Sequence, residues 1–154
     1  MKIVGDGGHA KVVRTVMERQ TGLVGHDLAF VAVGNNHDRK KEAILATAAG
    51  YKFPVLVHPS AVVEDTVRIG EGTVIMAGAV IQADVVIGRH CIINTSSSVD
   101  HDCILGDYVH IAPGAHLCGG VQVGEGTLVG VGSRALPGAV IGSWGLLRAG
   151  ETAR

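Results

Sequence analysis

The densest chemistry in this 154-residue chain lies in one stretch, Asn94-Thr-Ser-Ser-Ser-Val-Asp-His-Asp102. It packs hydroxyls, an amide, two carboxylates and an imidazole into nine residues. A histidine beside an acid is what general-base catalysis asks for. The carboxylate holds the imidazole tautomer, raises its basicity and stabilises the imidazolium once formed. His101 is therefore the candidate base and Asp102 the acid that supports it. His110 and His116 follow nine and fifteen residues further on. The bland alternative is a set of surface histidines, since the chain holds eight.

A second stretch, Gly5-Asp-Gly-Gly-His9, follows the short apolar segment Met1–Val4 and precedes a helical pattern from Ala10 to Gln20. Val12, Val13, Val16 and Met17 form the apolar face of that helix. In a strand, glycine turn, helix arrangement, backbone N–H groups and a helix N-terminus face an anion such as a diphosphate. The spacing Gly5-x-Gly7-x-x-Ala10 matches the loose dinucleotide fingerprint. No acidic residue ends a second strand about 20 residues on, as the full fingerprint requires. Asp27 precedes a strand instead, and a plain tight turn is the alternative.

Both stretches need a scaffold, and the larger one is explicit. From Val57 to Leu147 every sixth residue is aliphatic, and fifteen of those sixteen positions are Leu, Ile or Val. The residue two places earlier is usually small, as at Ala79, Cys91, Ser97, Cys103 and Ala115. A period of six fits neither an α-helix nor a plain alternating strand; it marks a hexapeptide-repeat parallel β-helix. Three hexads make a triangular coil whose large and small residues fill a narrow prism, and the length predicts about five coils. Ahead of it, Leu28–Val33 reads as a buried strand. Gly34-Asn-Asn36 then opens a helix to about Ala49, with Ile44, Leu45 and Ala48 on its core face. Thr21 to Asp27 reads as irregular. The fold class expected is mainly β: residues 1–56 form a small α/β, Rossmann-like layer, and residues 57–154 form the β-helix. The layer is short for an independent domain and should lean on the β-helix or on a neighbouring subunit.

Composition narrows the partners. Net charge is −1 without a basic cluster, which argues against nucleic acid or an anionic membrane surface. Aromatics are only 3%, as a thin prism requires. The three cysteines are read as reduced structural residues, and the lack of a signal-peptide layout or apolar span predicts a cytoplasmic protein.

Gly5-Asp-Gly-Gly-His-Ala-Lys-Val-Val13, Val33-Gly-Asn-Asn36 and Asn94-Thr-x-x-x-Val-Asp-His-Asp102 occur in this order, the last inside hexapeptide repeats. Together they resemble the sugar acetyltransferases of the sialic-acid O-acetyltransferase type. That family includes the UDP-4-amino-sugar N-acetyltransferases of bacillosamine biosynthesis and the perosamine N-acetyltransferases. The resemblance covers nearly the whole chain. It implies a left-handed β-helix, a homotrimer with active sites between subunits, acetyl-CoA as co-substrate and a nucleotide-sugar acceptor. Residue by residue, it implies that His101 is the catalytic base and Asp102 its acid. His110, Val131 and Ala149 would contact the coenzyme, and Gly7, Gly8, His9 and Gly34 the acceptor.

Two stretches depart from the family pattern. Thr21 to Asp27 stands where relatives have a longer segment with an acid-ended strand, and the chain stops at Glu151-Thr-Ala-Arg154, where relatives continue through another partial coil. The reaction expected is direct acetyl transfer to the amine of a nucleotide-linked amino sugar, with O-acetylation of a sugar hydroxyl as the alternative. Neither Cys91 nor Cys103 is placed as an acyl carrier, because both point inward in the repeat register. A γ-type carbonic anhydrase uses the same scaffold but needs a histidine pair with four intervening residues. His110 and His116 have five, so no metal is expected. A non-enzymatic scaffold would require His101-Asp102 to be accidental.

Overall fold

The computed structural model describes residues 1–20 and 25–154, so most of the irregular Thr21–Asp27 segment lies outside the described residues. Strands β1 (Lys2–Val4) and β2 (Ala29–Val31) pair in parallel, Ile3 opposite Phe30, and are flanked by α1 (Gly8–Arg19) and α2 (Asn36–Ala48). Seventeen two-residue strands then follow, from β3 (Leu56–Val57) to β19 (Thr152–Ala153). They stack into three parallel sheets of six, five and six strands, the faces of a triangular prism. Each strand pairs with the one eighteen residues away, as Val80, Ser98, His116 and Arg134 do in register. Eighteen residues per coil is three hexads, the repeat that the sequence carries.

The prism is filled as the period demands. Ile75, Ile81, Ile93, Val99, Ile111 and Val129 have no exposed surface, nor do the small partners Ala79, Cys91, Cys103 and Ala115. Burying each large aliphatic stabilises the fold by about 1.5–3 kcal/mol. Buried hydroxyls at the small positions are satisfied by corner carbonyls: Ser97 Oγ donates to Asn94 O at 2.7 Å and Ser133 Oγ to Gly130 O at 2.7 Å. At one corner, Gly70, Gly88, Gly106 and Gly124 form a column. A β-carbon at any of these would collide with the backbone of the next coil. All three cysteines are free.

The first face comprises β3, β6 (Val74–Ile75), β9 (Ile92–Ile93), β12 (His110–Ile111), β15 (Leu128–Val129) and β18 (Leu146–Leu147). The α/β layer packs on its early coils, where Ala10, Val13, Val16 and Phe30 meet Leu56, Val74, Met76 and Ile92. The layer therefore leans on the β-helix, one of the two supports expected.

Both helices depart from their expected faces. Val12 is 46% exposed, and α1 buries Ala10, Val13 and Val16. In α2, Ile44 and Leu45 are each 55% exposed, and the helix buries Asn36, Arg39, Ala43 and Ala46 instead. The cause is polar anchoring. Arg39 is 1% exposed and donates five hydrogen bonds: to His90 O at 2.8 Å, Val33 O at 3.0 Å, Gly34 O at 3.0 Å, Asn36 Oδ1 at 2.8 Å and Tyr108 O at 2.8 Å. Asn36 Nδ2 reaches Gly126 O at 2.9 Å, and Lys40 Nζ pairs with Glu125 at 2.7 Å. These contacts to the coil corners turn Asn36 and Arg39 inward and the neighbouring aliphatics outward.

Candidate active site

His101 sits at the turn between β10 (Ser98–Val99) on the second face and β11 (Ile104–Leu105) on the third. Asp102 takes the left-handed conformation there, φ 61°, which Asp tolerates better than most residues. That corner projects His101, whose side chain is 63% exposed. Its Nδ1 lies 2.7 Å from Asp102 Oδ2, and Asp100 Oδ1 accepts from the His101 backbone N–H at 3.0 Å. The hydrogen bond to Asp102, with a lesser field from Asp100, raises the His101 pKa above the ordinary histidine value. With Nδ1 engaged, Nε2 is the nitrogen left for a substrate proton.

His110 occupies a different environment. It is half-buried on β12, and the Asn94 amide donates to its Nε2 at 3.1 Å. Burial first, then the charge of Arg39 and the neighbouring His9, push its pKa down to about 3, so it stays neutral. It stands at the inner end of a groove of about 600 Å³ running along the first face. Gly34, Val131 and Ala149 line the same groove, with Pro113, Leu128 and Leu146 as apolar walls and Arg148 at the rim. All three residues expected at the coenzyme share this groove. Its walls suit a flexible, mostly aliphatic arm such as pantetheine, and the neutral His110–Asn94 pair offers polar contacts at the inner end. His101 does not line it. The groove follows the first face and the corner that leads to β13 (His116–Leu117), whereas His101 stands at the next corner of the triangle.

Of the residues expected at the acceptor, Gly34 lines the groove and His9 packs near it. Gly7 caps α1 without a side-chain hydrogen bond, and the first turn of α1 carries no acid, although Asp6 directly precedes the cap. Apart from adjacent residues and the backbone of α1 itself, no atom lies within 4 Å of where a β-carbon of Gly7 or Gly8 would stand. His9 packs near Gly34, and its Nε2 is buried with no partner among the described residues. Burial and Arg39 lower its pKa to about 4. His116 faces away from all of this, on the second face, with Ser98 Oγ 2.8 Å from its Nδ1. Among the described residues no group of His, Cys, Asp and Glu is arranged to hold a metal ion.

Sequence reasoning missed Arg39, which carries no motif, and gave Asn94 no role although it opens the motif stretch. It also missed Trp144, whose ring stacks on His37 at 4.2 Å on the same side of the prism.

Comparison with known proteins decides the family. The bacterial transferase hexapeptide model (six repeats) matches residues 66–101 and 84–119. The structure superposes on a histidine mutant of perosamine N-acetyltransferase from Caulobacter crescentus, solved with CoA and GDP-perosamine. The TM-score is 0.91 at 37% identity, covering 97% of this chain and 86% of that one. The chain belongs to the hexapeptide-repeat sugar acetyltransferases. The acetyltransferase domain of PglB from Neisseria gonorrhoeae FA1090, in complex with acetyl coenzyme A, gives a TM-score of 0.89 at 35% identity. That match covers 97% of this chain and 87% of that one. UDP-N-acetylbacillosamine N-acetyltransferase of Bacillus subtilis (strain 168) is 42% identical over 49% of this chain. The chain spans about half the length of that curated relative, 50%. As in this family, the solenoid is a left-handed parallel β-helix with a small N-terminal α/β layer. Among the described residues no helix is long and apolar enough to cross a membrane.

Proposed function

We propose that this chain transfers an acetyl group from acetyl-CoA to the amine of a nucleotide-linked amino sugar. The observation that carries the reading is the exposed His101–Asp102 pair, 2.7 Å apart, on a coil corner of a protein that also carries the His110–Val131–Ala149 groove. Two of the similar proteins are named as N-acetyltransferases of amino sugars, and GDP-perosamine accompanies CoA in one of them. This favours an amine over a hydroxyl as acceptor.

The coenzyme supplies an activated acetyl thioester; the remaining roles fall to this chain. The groove holds the pantetheine arm between Pro113, Leu128, Val131 and Ala149, with its thioester end toward His110. Gly7 and Gly8 admit the acceptor's diphosphate to the open end of α1, and His9 and Gly34 form the wall between acceptor and coenzyme. His101 Nε2 takes the proton from the amine as the new C–N bond forms, Asp102 stabilises the resulting imidazolium, and that proton leaves with the departing thiol. Residues 1–56 are thus the acceptor-binding unit and residues 57–154 the acetyl-transfer unit.

His101 and the groove stand at different corners of one prism, so a complete site needs a second copy. In a C3 trimer, the corner of one protomer carrying His101 meets the groove of the next, giving three equivalent sites between subunits. On this reading the enzyme works in the cytoplasm, where acetyl-CoA and nucleotide sugars are available. The deciding experiment is thiol release from acetyl-CoA with GDP- and UDP-linked amino sugars and with sialic acid. Turnover of amino sugars alone is expected; turnover of hydroxyl acceptors alone would sink the N-acetyl reading.

A further inference from the structure

The corner that carries His101 recurs in every coil, and the residues at its position are Asp65, Ala83, His101, Gly119 and Pro137. Gly120 N donates to His101 O at 2.9 Å and Gly138 N to Gly119 O at 3.0 Å, so Gly119 lies directly beside His101 on the next coil. A β-carbon on Gly119 would stand 2.6 Å from His101 Cε1, 2.7 Å from Nε2 and 3.2 Å from Nδ1. The imidazole lies over the bare α-carbon of Gly119, in the volume that any side chain would occupy.

Two ordinary reasons for a glycine fail here. Gly120, Gly126, Gly132 and Gly138 take left-handed φ values of 62° to 71°, but Gly119 is not among the positive-φ residues, so its backbone accepts any L residue. Coil stacking does not require it either. At Gly70, Gly88 and Gly106 the obstructing atoms include the next coil's backbone, whereas at Gly119 the three nearest atoms all belong to the His101 ring. That ring is largely exposed and is tied down by a single side-chain contact, to Asp102. An exposed imidazole has other staggered rotamers to choose from. The open surface of Gly119 is what lets it settle in the one that meets Asp102.

We infer that Gly119 is a positioning residue for the general base: its missing side chain is the seat that holds the His101 imidazole on Asp102. The inference rests on the reading of His101 as the base. An alanine at 119 would displace the ring by roughly 1 Å, and a misplacement of that size costs on the order of 10² in rate. Fold and coenzyme groove should be untouched, because the obstruction is the end of an exposed side chain that can swing clear.

The test is a double-mutant cycle on the full chain, with Gly119→Ala, His101→Ala and the two combined. It is read by kcat, KM for both substrates, melting temperature and the pH profile of kcat/KM. In Gly119→Ala we expect kcat to fall about 100-fold with KM for acetyl-CoA within about 2-fold, and the His101 limb of the pH profile to move toward an unsupported histidine. Melting temperature and oligomer mass should match the wild type, and the alanine should cost nothing further in the His101→Ala background. If Gly119→Ala keeps more than about a third of wild-type kcat, or lowers kcat equally whether or not His101 is present, the glycine is not the seat of the base. A mutant that fails to fold or assemble would overturn it too, since it would mean more than the ring stands in the way. If His101→Ala itself stays active, the base assignment fails instead, and the two failures are distinguishable.

Discussion

Arg39→Met tests how the N-terminal α/β layer is held on the β-helix. The guanidinium is 1% exposed, has no carboxylate partner, and spends all five N–H groups on neutral oxygens. Three of those bonds, to His90 O, Asn36 Oδ1 and Tyr108 O, are fully buried. A buried acceptor left without its donor costs about 1–3 kcal/mol, so methionine forfeits about 3–9 kcal/mol there. Removing the charge also relieves a desolvation penalty of several kcal/mol, which opposes the loss. The net expectation is about 3–5 kcal/mol, or roughly 6–20 °C in Tm at about 2–4 °C per kcal/mol for a chain of this size. The damage should be local. His90 and Tyr108 lie at coil corners that keep their own ladder bonds, while α2 and the Gly34 loop lose their tie to the coils. Hydrogen exchange should therefore show α2 and residues 33–36 losing protection while β6 to β18 keep theirs. The fluorescence of Trp144, the only tryptophan, should change as its stack with His37 loosens. On the proposed function, acceptor KM should rise more than acetyl-CoA KM, because α2 and the Gly34 loop belong to the layer read as binding the acceptor. Wild-type exchange in α2, with Tm within about 2 °C, would refute the reasoning.

His101→Ala should lower kcat by about 10²–10⁴-fold with Tm and acetyl-CoA affinity nearly unchanged. Asp102→Asn should lose less and should move the rising, low-pH limb of kcat/KM to lower pH, since the Asp102 hydrogen bond is the main support of the raised His101 pKa; pH–rate profiles of both variants check this. Gly8→Val should raise acceptor KM and leave acetyl-CoA binding alone, as steady-state kinetics with each substrate varied would show. Stability should depend on acid. His9, His90 and His110 have folded pKa values of about 4, 4 and 3, below the ordinary 6.5, so the unfolded chain binds protons first as pH falls. Their contribution is complete above about pH 6.5 and is lost from there toward about pH 3, which melts across that range will test. Burial is the main cause in each and the charge of Arg39 adds to it, so Arg39→Met should flatten the dependence in part.

Much of the architecture was legible because a six-residue period has one physical solution. Val57 to Leu147 can bury one large and one small residue per hexad only by coiling, and every pairing from Leu56↔Val74 onward follows that register. The His101–Asp102 contact was legible for a related reason: adjacent residues on a tight corner have little choice but to meet. The faces of the short helices were not. Ile44 and Leu45 look like core to a rule that reads only apolarity, but α2 is turned by Arg39, Asn36 and Lys40. Their partners, at His90, Tyr108, Gly126 and Glu125, lie some 50 to 90 residues away in sequence. Gly119 was invisible for the same reason. Beyond its own neighbours a one-dimensional pattern cannot say which ring rests on which α-carbon; stacking at eighteen residues per coil brings position 119 under His101. Local periodicity determined the scaffold, and the adjacent His101-Asp102 motif marked the candidate base. The tertiary structure alone decided what the His101 ring rests on, which imidazoles stay neutral, and that His101 and the first-face groove stand at different corners of one prism.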